Sequence, residues 1–181
     1  VNQAVRNYGV DHVVFCLEGR SWRKEFYSPY KANRKVKEQD MTEAEVEESQ
    51  MFWETYETLI TYLHEKTNVT VLCDPNAEAD DCIARFAALH PDDEHIIIST
   101  DSDYLQLLSE SVHMYNGVSK QLITIDGYFD DRGRPVIDKK TNEHKILEDP
   151  QYLLFEKCMR GDTSDNVFSA YPGVRKKGSK N

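Results

Sequence analysis

Three short apolar runs constrain the fold of this chain more than any other feature. They cover residues 12–17, 69–73 and 94–99, have the length of strands and are rich in β-branched side chains. Segments with the apolar spacing of amphipathic helices lie between them. Strands that alternate with helices predict a mostly parallel sheet with helices on its faces, so the expected fold class is α/β.

An acidic residue closely follows each of these runs. The three acids are Glu18, Asp74 and Asp101. In an open α/β sheet, ligands bind beyond the carboxyl ends of the strands. We therefore expect a site at the edge of the sheet where these acids lie.

Caps, spacing and turn residues predict the other elements. Helices are expected over 1–8, 42–65, 78–89, 102–108 and 150–159. A hairpin of strands 112–115 and 121–125 is expected around Asn116-Gly117. The basic stretch 20–37 is interpreted as a mobile connector, and 127–147 as a surface excursion.

Charge is distributed unevenly along the 181 residues, which fit one domain. The net charge is −10, yet 20–37 and 175–180 are basic and 38–57 is acidic. Basic patches on an acidic protein suit a polyanion that is held at defined places. No apolar run has the length of a membrane span, and the four cysteines contain no C-x-x-C pair, so a cytoplasmic setting is expected.

Four groups of acids fall where the expected fold would bring them together. These groups are Glu18; Glu78, Asp80 and Asp81; Asp101 and Asp103; and Asp162 and Asp165. Mg²⁺ prefers oxygen ligands, and two such ions about 3.5–4 Å apart can promote phosphodiester cleavage. Each group alone is also explained as a helix cap, a partner of a helix dipole or a solvated acid. Their common position beyond the strands favours a metal site.

Four motifs in order resemble the 5′-nuclease family. They are Y-K-A-N-R at 30–34, E-A-D-D at 78–81, S-T-D-S-D at 99–103 and R-G-D-T-S-D-N at 160–166. The family includes flap endonucleases, the 5′-nuclease domain of bacterial DNA polymerase I, and phage 5′-exonucleases and phage RNase H enzymes. The short arch and divergent tail are most similar to the phage branch. The resemblance implies a PIN-like sheet with a helical arch over about 20–50.

The same resemblance implies a Mg²⁺-dependent 5′-3′ exonuclease or flap endonuclease that uses two or more ions, with Mn²⁺ able to replace Mg²⁺. The eight acids named above would bind the ions, although the family has an aspartate where Glu18 stands. Lys31 and Arg34 would be catalytic, steering the scissile phosphate, and Tyr30 would stack on a base. Nucleic-acid contacts are expected for Arg20, Arg23, Lys24, Tyr30, Lys31, Arg34, Lys35, Arg175, Lys176 and Lys177.

The implied substrate is DNA with a 5′ flap or a 5′ end, with RNA/DNA hybrid as a further class. Replication proteins are the implied partners of a monomer in a bacterial or phage-infected cytoplasm. The catalytic core is expected over 1–160, and 161–181 would begin a truncated helix–three-turn–helix segment. Its glycine pattern is only partly met, which does not favour a K⁺ site. The family's first strand and C-terminal helices are expected outside these residues, so the chain resembles a fragment with impaired metal and DNA binding.

Three other interpretations stay open. A PIN-like ribonuclease would share the sheet and the acidic site but lack the basic segment after 166. A phosphatase with a D-x-D nucleophile would carry its aspartates after the first strand. A DNA-binding fragment without turnover would keep the basic patches but not cleave.

Overall fold

The computed structural model describes residues 2–34 and 40–170, except for the side chains of residues 2–4. The predictions for Lys35, Arg175, Lys176 and Lys177 lie outside the described residues. The elements are α1 (Asn2–Tyr8), β1 (Val14–Cys16), α2 (Arg23–Phe26), α3 (Glu43–Lys66), β2 (Thr70–Leu72), α4 (Ala79–Leu89), β3 (His95–Ile98), a 3-10 helix (Ser102–Leu107), β4 (Val112–Asn116), β5 (Gln121–Thr124), β6 (Gly127–Asp130) and α5 (Pro150–Arg160).

Local signals placed most helix ends correctly. The capping box that opens α3 is formed in both directions: the Thr42 hydroxyl accepts from the Glu45 amide, and the Glu45 carboxylate accepts from the Thr42 amide. Gly9 follows α1 with φ +62°, a left-handed conformation that stops a helix. These helix ends are defined by residues that are close in the sequence, so they can be predicted without knowledge of tertiary contacts.

The described chain divides into two compact units. Among the described residues, the two-stranded unit comprises 12–34, 40–79 and 158–170, and the four-stranded unit comprises 2–11 and 80–157. In the two-stranded unit, β1 and β2 pair in parallel with Val14 opposite Thr70. Helix α3 runs into β2, and Leu63 is its buried residue.

The four-stranded unit holds a mixed sheet of order β3-β4-β5-β6. Strands β3 and β4 are parallel, whereas β4–β5 and β5–β6 are antiparallel. Leu108, Met114 and Ile123 form its buried cluster, with Tyr128 and Leu147 packed against them. The described strands thus pair in parallel and antiparallel fashion equally, rather than mostly in parallel as expected.

Two connecting segments are more ordered than expected. Strand β6 and the antiparallel bridge between Ile137 and His144 lie within 127–147, which was interpreted as a surface excursion. Helix α2 lies in the basic stretch interpreted as a mobile connector, and contacts with 162–166 hold the following residues. Neither segment has a helical or alternating apolar pattern, so the sequence does not indicate their order. Pairing with β5 and bridges within the segment order 127–147, and contacts with 162–166 order the residues after α2.

None of the helices in the described ranges is both long and apolar enough to cross a membrane.

Candidate functional site

The chain after β1 runs along the turn that precedes α4. The amide of Gly19 donates to the carbonyl of Ala77 at 2.9 Å, and a Cβ at Gly19 would lie 2.0 Å from the carbonyl oxygen of Asp74. Only glycine permits this approach. It brings the neighbouring Glu18 to the start of α4, where its carboxylate accepts from the Ala79 amide at 3.0 Å. Glu18 therefore follows β1 and caps the start of α4.

Glu78 is the most connected acid of the two-stranded unit. It is 2% exposed, and one carboxylate oxygen accepts from the Tyr30 hydroxyl at 2.8 Å and from Arg23 at 3.1 Å. Its other oxygen accepts from the ammonium of Lys31, which also lies 3.9 Å from Glu18. Burial raises the pKa of Glu78, but the hydrogen bonds from Lys31 and Tyr30 and the two positive charges outweigh it, so the pKa is lowered.

Tyr30 connects Glu78 with the second acid of this cluster. Its hydroxyl lies 3.1 Å from Asp165, and its ring is buried at 7% exposure. Burial, the hydrogen bond to Glu78 and the charge of Asp165 raise the pKa of Tyr30 well above its ordinary value. The hydroxyl therefore stays protonated at neutral pH and can donate its proton to either carboxylate.

The Y-K-A-N-R segment is fastened to the G-D-T-S-D-N loop. The Lys31 amide donates to the Asp165 carbonyl at 2.8 Å, and the Arg34 guanidinium donates to the Asp165 carboxylate at 2.9 Å. Asn33 adds a hydrogen bond to the Ser164 carbonyl. Lys31 has φ +54°, which costs a non-glycine residue about 1–2 kcal/mol. The surrounding contacts hold this conformation and keep the ammonium at Glu78.

A tight turn presents the acids of the last motif. Asp162 and Val167 exchange backbone hydrogen bonds, and the Asp162 carboxylate accepts from the Ser164 amide at 2.9 Å. Gly161 has φ +72°, and a Cβ there would meet the Val167 carbonyl oxygen at 2.4 Å. The turn thereby directs Asp165 toward the Y-K-A-N-R segment.

The E-A-D-D motif forms a local acidic cluster. One carboxylate oxygen from each of Glu78, Asp80 and Asp81 lies within 4.8 Å of the others. These residues span the start of α4, where the first turn of the helix brings near neighbours in sequence together. A divalent cation is the ligand that such a set of oxygens suits.

Asp101 and Asp103 lie in the four-stranded unit, after β3. The Asp101 side chain accepts from the Asp103 amide at 2.9 Å and so caps the 3-10 helix. Asp103 forms an ion pair with Lys157 of α5. This hydrogen bond agrees with the explanation of Asp101 as a helix cap. The cap uses one oxygen of the carboxylate and leaves the other outside it.

The structure brings some of the predicted residues together and leaves one question as a prediction. Glu18, Glu78, Asp165, Lys31 and Arg34 meet in the two-stranded unit. Asp101 and Asp103 belong to the other unit, so convergence of all four acidic groups on one site stays a prediction.

Sequence reasoning missed two ion pairs. Arg23 was expected to contact nucleic acid, but its guanidinium reaches Glu78. Lys157 had no expected role and pairs with Asp103. Each pair joins positions more than fifty residues apart, so no local signal in the sequence marks it.

The burial of Tyr30 changes its interpretation. A side chain at 7% exposure presents little free ring face, whereas stacking on a base needs an open one. We infer that Tyr30 orients Glu78 and Asp165, in place of the base-stacking role expected from the resemblance.

Comparison with known proteins places this chain among characterised sequences. Residues 1–133 match the family described as 5′-3′ exonuclease, N-terminal resolvase-like domain. The chain is 28% identical over 171 residues to a 5′-3′ exonuclease of Mycoplasmopsis pulmonis, covering 93% of this chain and 48% of that protein. It is 31% identical over 168 residues to flap endonuclease Xni of Shewanella loihica, covering 90% and 54%. The chain thus spans about half the length of these relatives.

Solved structures show the same fold. The flap endonuclease of bacteriophage T5 in a complex with DNA and metal ions has a TM-score of 0.74 at 21% identity, covering 97% of this chain and 60% of that one. The T5 5′-exonuclease with bound zinc has a TM-score of 0.76 at 22% identity, covering 96% and 59%. This similarity confirms the expected α/β fold.

Proposed function

Because this chain belongs to the family of the 5′-3′ exonuclease N-terminal, resolvase-like domain, we propose that it is the catalytic part of a Mg²⁺-dependent 5′-nuclease. The observation that carries the proposal is the buried Glu78 carboxylate, which lies between the Lys31 ammonium and the Tyr30 hydroxyl, with Asp165 beside them. Acids and cations interleaved in this way suit a phosphate held against metal ions.

The donor set fits a divalent magnesium ion. Glu78, Asp80 and Asp81 offer oxygens within 4.8 Å of one another, and Mg²⁺ binds through a few carboxylates while keeping several waters. At least three donors already occupy Glu78, and a carboxylate accepts about four hydrogen bonds. Glu78 is therefore suited to contact an ion through water, with Asp80 and Asp81 as the other carboxylates of the set. Mn²⁺ would use the same oxygens.

Lys31 and Arg34 are the proposed phosphate-binding residues. Lys31 is held at Glu78 as a compact positive charge, and the Arg34 side chain on Asp165 is 56% exposed and can donate hydrogen bonds to a phosphate. When bound, two Mg²⁺ ions would lower the pKa of a water and stabilise the leaving oxygen. The residues of this chain orient the phosphodiester and neutralise its charge. Glu18, Asp101, Asp103, Asp162 and Asp165 complete the proposed metal-binding set.

The proposed substrate is DNA with a 5′ flap or a 5′ end, with RNA/DNA hybrid as a further class. The proposal extends to a core over 1–160, a duplex-binding segment from 161, replication proteins as partners, and a monomer working in the cytoplasm. Family membership favours this function over a D-x-D phosphatase.

Asparagine at both Asp101 and Asp103 tests the metal assignment. Asparagine can replace Asp101 as a helix cap, so the double variant loses charge while its fold is retained. We expect Mg²⁺-dependent cleavage of a 5′-flap DNA to fall at least about 10³-fold, since metal positioning supplies most of the rate. Binding of the flap, measured with Ca²⁺, should change little.

Asp92 and Asp93 provide a matched control. They are exposed acids of the same four-stranded unit, and replacing both with asparagine removes the same charge. Cleavage by this control should stay close to that of the parent chain. Normal turnover in the Asp101/Asp103 variant would overturn the metal assignment.

A further inference from the structure

Two aromatic side chains project from the basic segment that leads into Tyr30. Trp22 is 45% exposed and Phe26 is 82% exposed, and their ring centroids lie 5.8 Å apart in an edge-to-face arrangement. Helix α2 holds them together, since it begins directly after Trp22 and ends at Phe26. Adjacent apolar side chains that are exposed together can mark a ligand-binding site.

Arg23 connects this aromatic pair with the acidic site. Its guanidinium carbon lies 4.9 Å from the centre of the Trp22 ring, and its Nη1 lies 3.1 Å from the Glu78 carboxylate. One arginine side chain therefore spans the separation between the pair and Glu78. A nucleotide resting on the rings would lie next to a phosphate bound at Lys31.

Charge distinguishes this pair from the other exposed aromatic cluster of the same unit. Arg20, Arg23 and Lys24 are close sequence neighbours of Trp22 and Phe26, against one acid, Glu25. The second cluster lies on α3, where Phe52 stacks on Tyr56 and Trp53 meets both rings edge-to-face.

The α3 cluster stands among acids. Glu48, Glu54 and Glu57 are its neighbours along the helix. A polyanion is attracted to basic aromatic surfaces and repelled by acidic ones, so only the α2 pair suits nucleic acid.

We propose that Trp22 and Phe26 form a base-stacking platform for the single strand of a nucleic-acid substrate. This inference rests on the proposed function and adds a specific subsite to it. The exposed face of Phe26 receives a base, Trp22 braces the phenyl ring from its edge, and Arg20 and Lys24 contact the flanking phosphates. Stacking is tolerant of base identity, so the platform binds any single-stranded sequence.

Tryptophan fluorescence tests the platform directly, because the chain has two tryptophans, Trp22 and Trp53. Trp53→Phe leaves Trp22 as the sole reporter, and Trp22→Phe leaves Trp53. With Ca²⁺ in place of Mg²⁺, oligothymidine of about ten nucleotides should quench the emission of the Trp53→Phe variant. It should leave the emission of the Trp22→Phe variant unchanged. Quenching confined to the Trp22→Phe variant would overturn the proposal.

Affinity separates stacking from phosphate contact. Phe26→Ala removes an exposed ring and should weaken oligothymidine binding about tenfold, while Phe26→Tyr restores it. An abasic oligonucleotide of equal length should bind Phe26→Ala as well as it binds the parent chain. Phe52→Ala is the matched aromatic control and should not change either affinity.

The outcomes distinguish this inference from the proposed nuclease activity. The platform would be overturned if Phe26→Ala changed the affinities for oligothymidine and for the abasic strand equally, or changed neither. That conclusion would hold even where the parent chain cleaves flap DNA. Quenching of Trp22 in the Trp53→Phe variant, without Mg²⁺-dependent cleavage by the parent chain, would overturn the nuclease activity and leave the platform in place.

Discussion

Removal of the Tyr30 hydroxyl is the sharpest test of how the acidic cluster is held. Tyr30→Phe keeps the buried ring and deletes only the donor that lies 2.8 Å from Glu78 and 3.1 Å from Asp165. Both Tyr30 and Glu78 are almost fully buried, so water cannot readily replace the lost donor. The variant therefore leaves a buried carboxylate with fewer partners.

The expected loss follows from a count of hydrogen bonds. One hydroxyl proton serves one carboxylate oxygen at a time, so one bond to a charged acceptor is lost, worth about 1.5–3 kcal/mol. For a chain of 181 residues, each kcal/mol lowers Tm by about 2–4 °C. We expect Tm to fall by about 3–12 °C.

Urea and thermal unfolding measure this loss, and Tyr27→Phe is the control. The Tyr27 hydroxyl makes a longer contact, 3.4 Å, to the neutral carbonyl of Asn166, so its loss should cost below about 1 kcal/mol. A Tyr30→Phe variant that unfolds with the same free energy as the parent chain or as Tyr27→Phe would refute the reasoning.

A lower pH should reduce the difference in the free energy of unfolding between the Tyr30→Phe variant and the parent chain. The pKa of Glu78 is lowered in the folded chain, so its stabilising contacts are fully present above its ordinary value of 4.5 and are lost as the pH falls through the folded value. The hydroxyl contributes to that lowering, and its effect on the free energy of unfolding should shrink below pH 4.5.

Two further variants test other parts of the structure. Gly19→Ala places a Cβ 2.0 Å from the Asp74 carbonyl oxygen and should lower the free energy of unfolding by about 2–3 kcal/mol or more. Gly117→Ala is the control, since its nearest neighbour lies at 4.0 Å, and it should change the free energy of unfolding by less than about 0.5 kcal/mol. Equal values for the two variants in urea titrations would contradict the close approach. Hydrogen bonds from the Arg134 side chain and amide lower the pKa of Asp130 from 3.8 to about 2. The contribution of Asp130 to folding stability is therefore present above pH 3.8 and is lost as the pH falls toward 2. Asp130→Asn should flatten the acid branch of the curve of stability against pH, and an unchanged acid branch would count against this assignment.

Local signals in the sequence predicted the elements better than their arrangement. The capping box at Thr42 and the glycine after α1 are defined by neighbours, and the helices they bound were placed within a residue or two. Strand β6 was missed because 127–130 lacks a long alternating pattern. Its pairing with β5 across a tight turn supplies the order that its composition does not.

Side-chain partners at the site were less accessible to prediction. The motifs identified Glu78, Asp165 and Lys31 as residues of one site, and the structure brings these three together in one unit. Nothing local indicates that Tyr30 is buried, since a tyrosine in a basic polar segment is equally consistent with an exposed ring. Its burial follows from packing between segments far apart in the sequence.

The Tyr30 hydroxyl contacts two carboxylates, Glu78 and Asp165, that lie far apart in the sequence. Their positions set the order in which the site can be completed during synthesis. Glu78 lies 48 residues after Tyr30, but Asp165 lies 135 residues after it. At ribosomal speeds the second carboxylate emerges on the order of ten seconds after the first. Until then, the Lys31 amide and the Arg34 guanidinium lack the partner that fastens them, so a nascent chain carries Glu78 before it can hold the segment that contacts it.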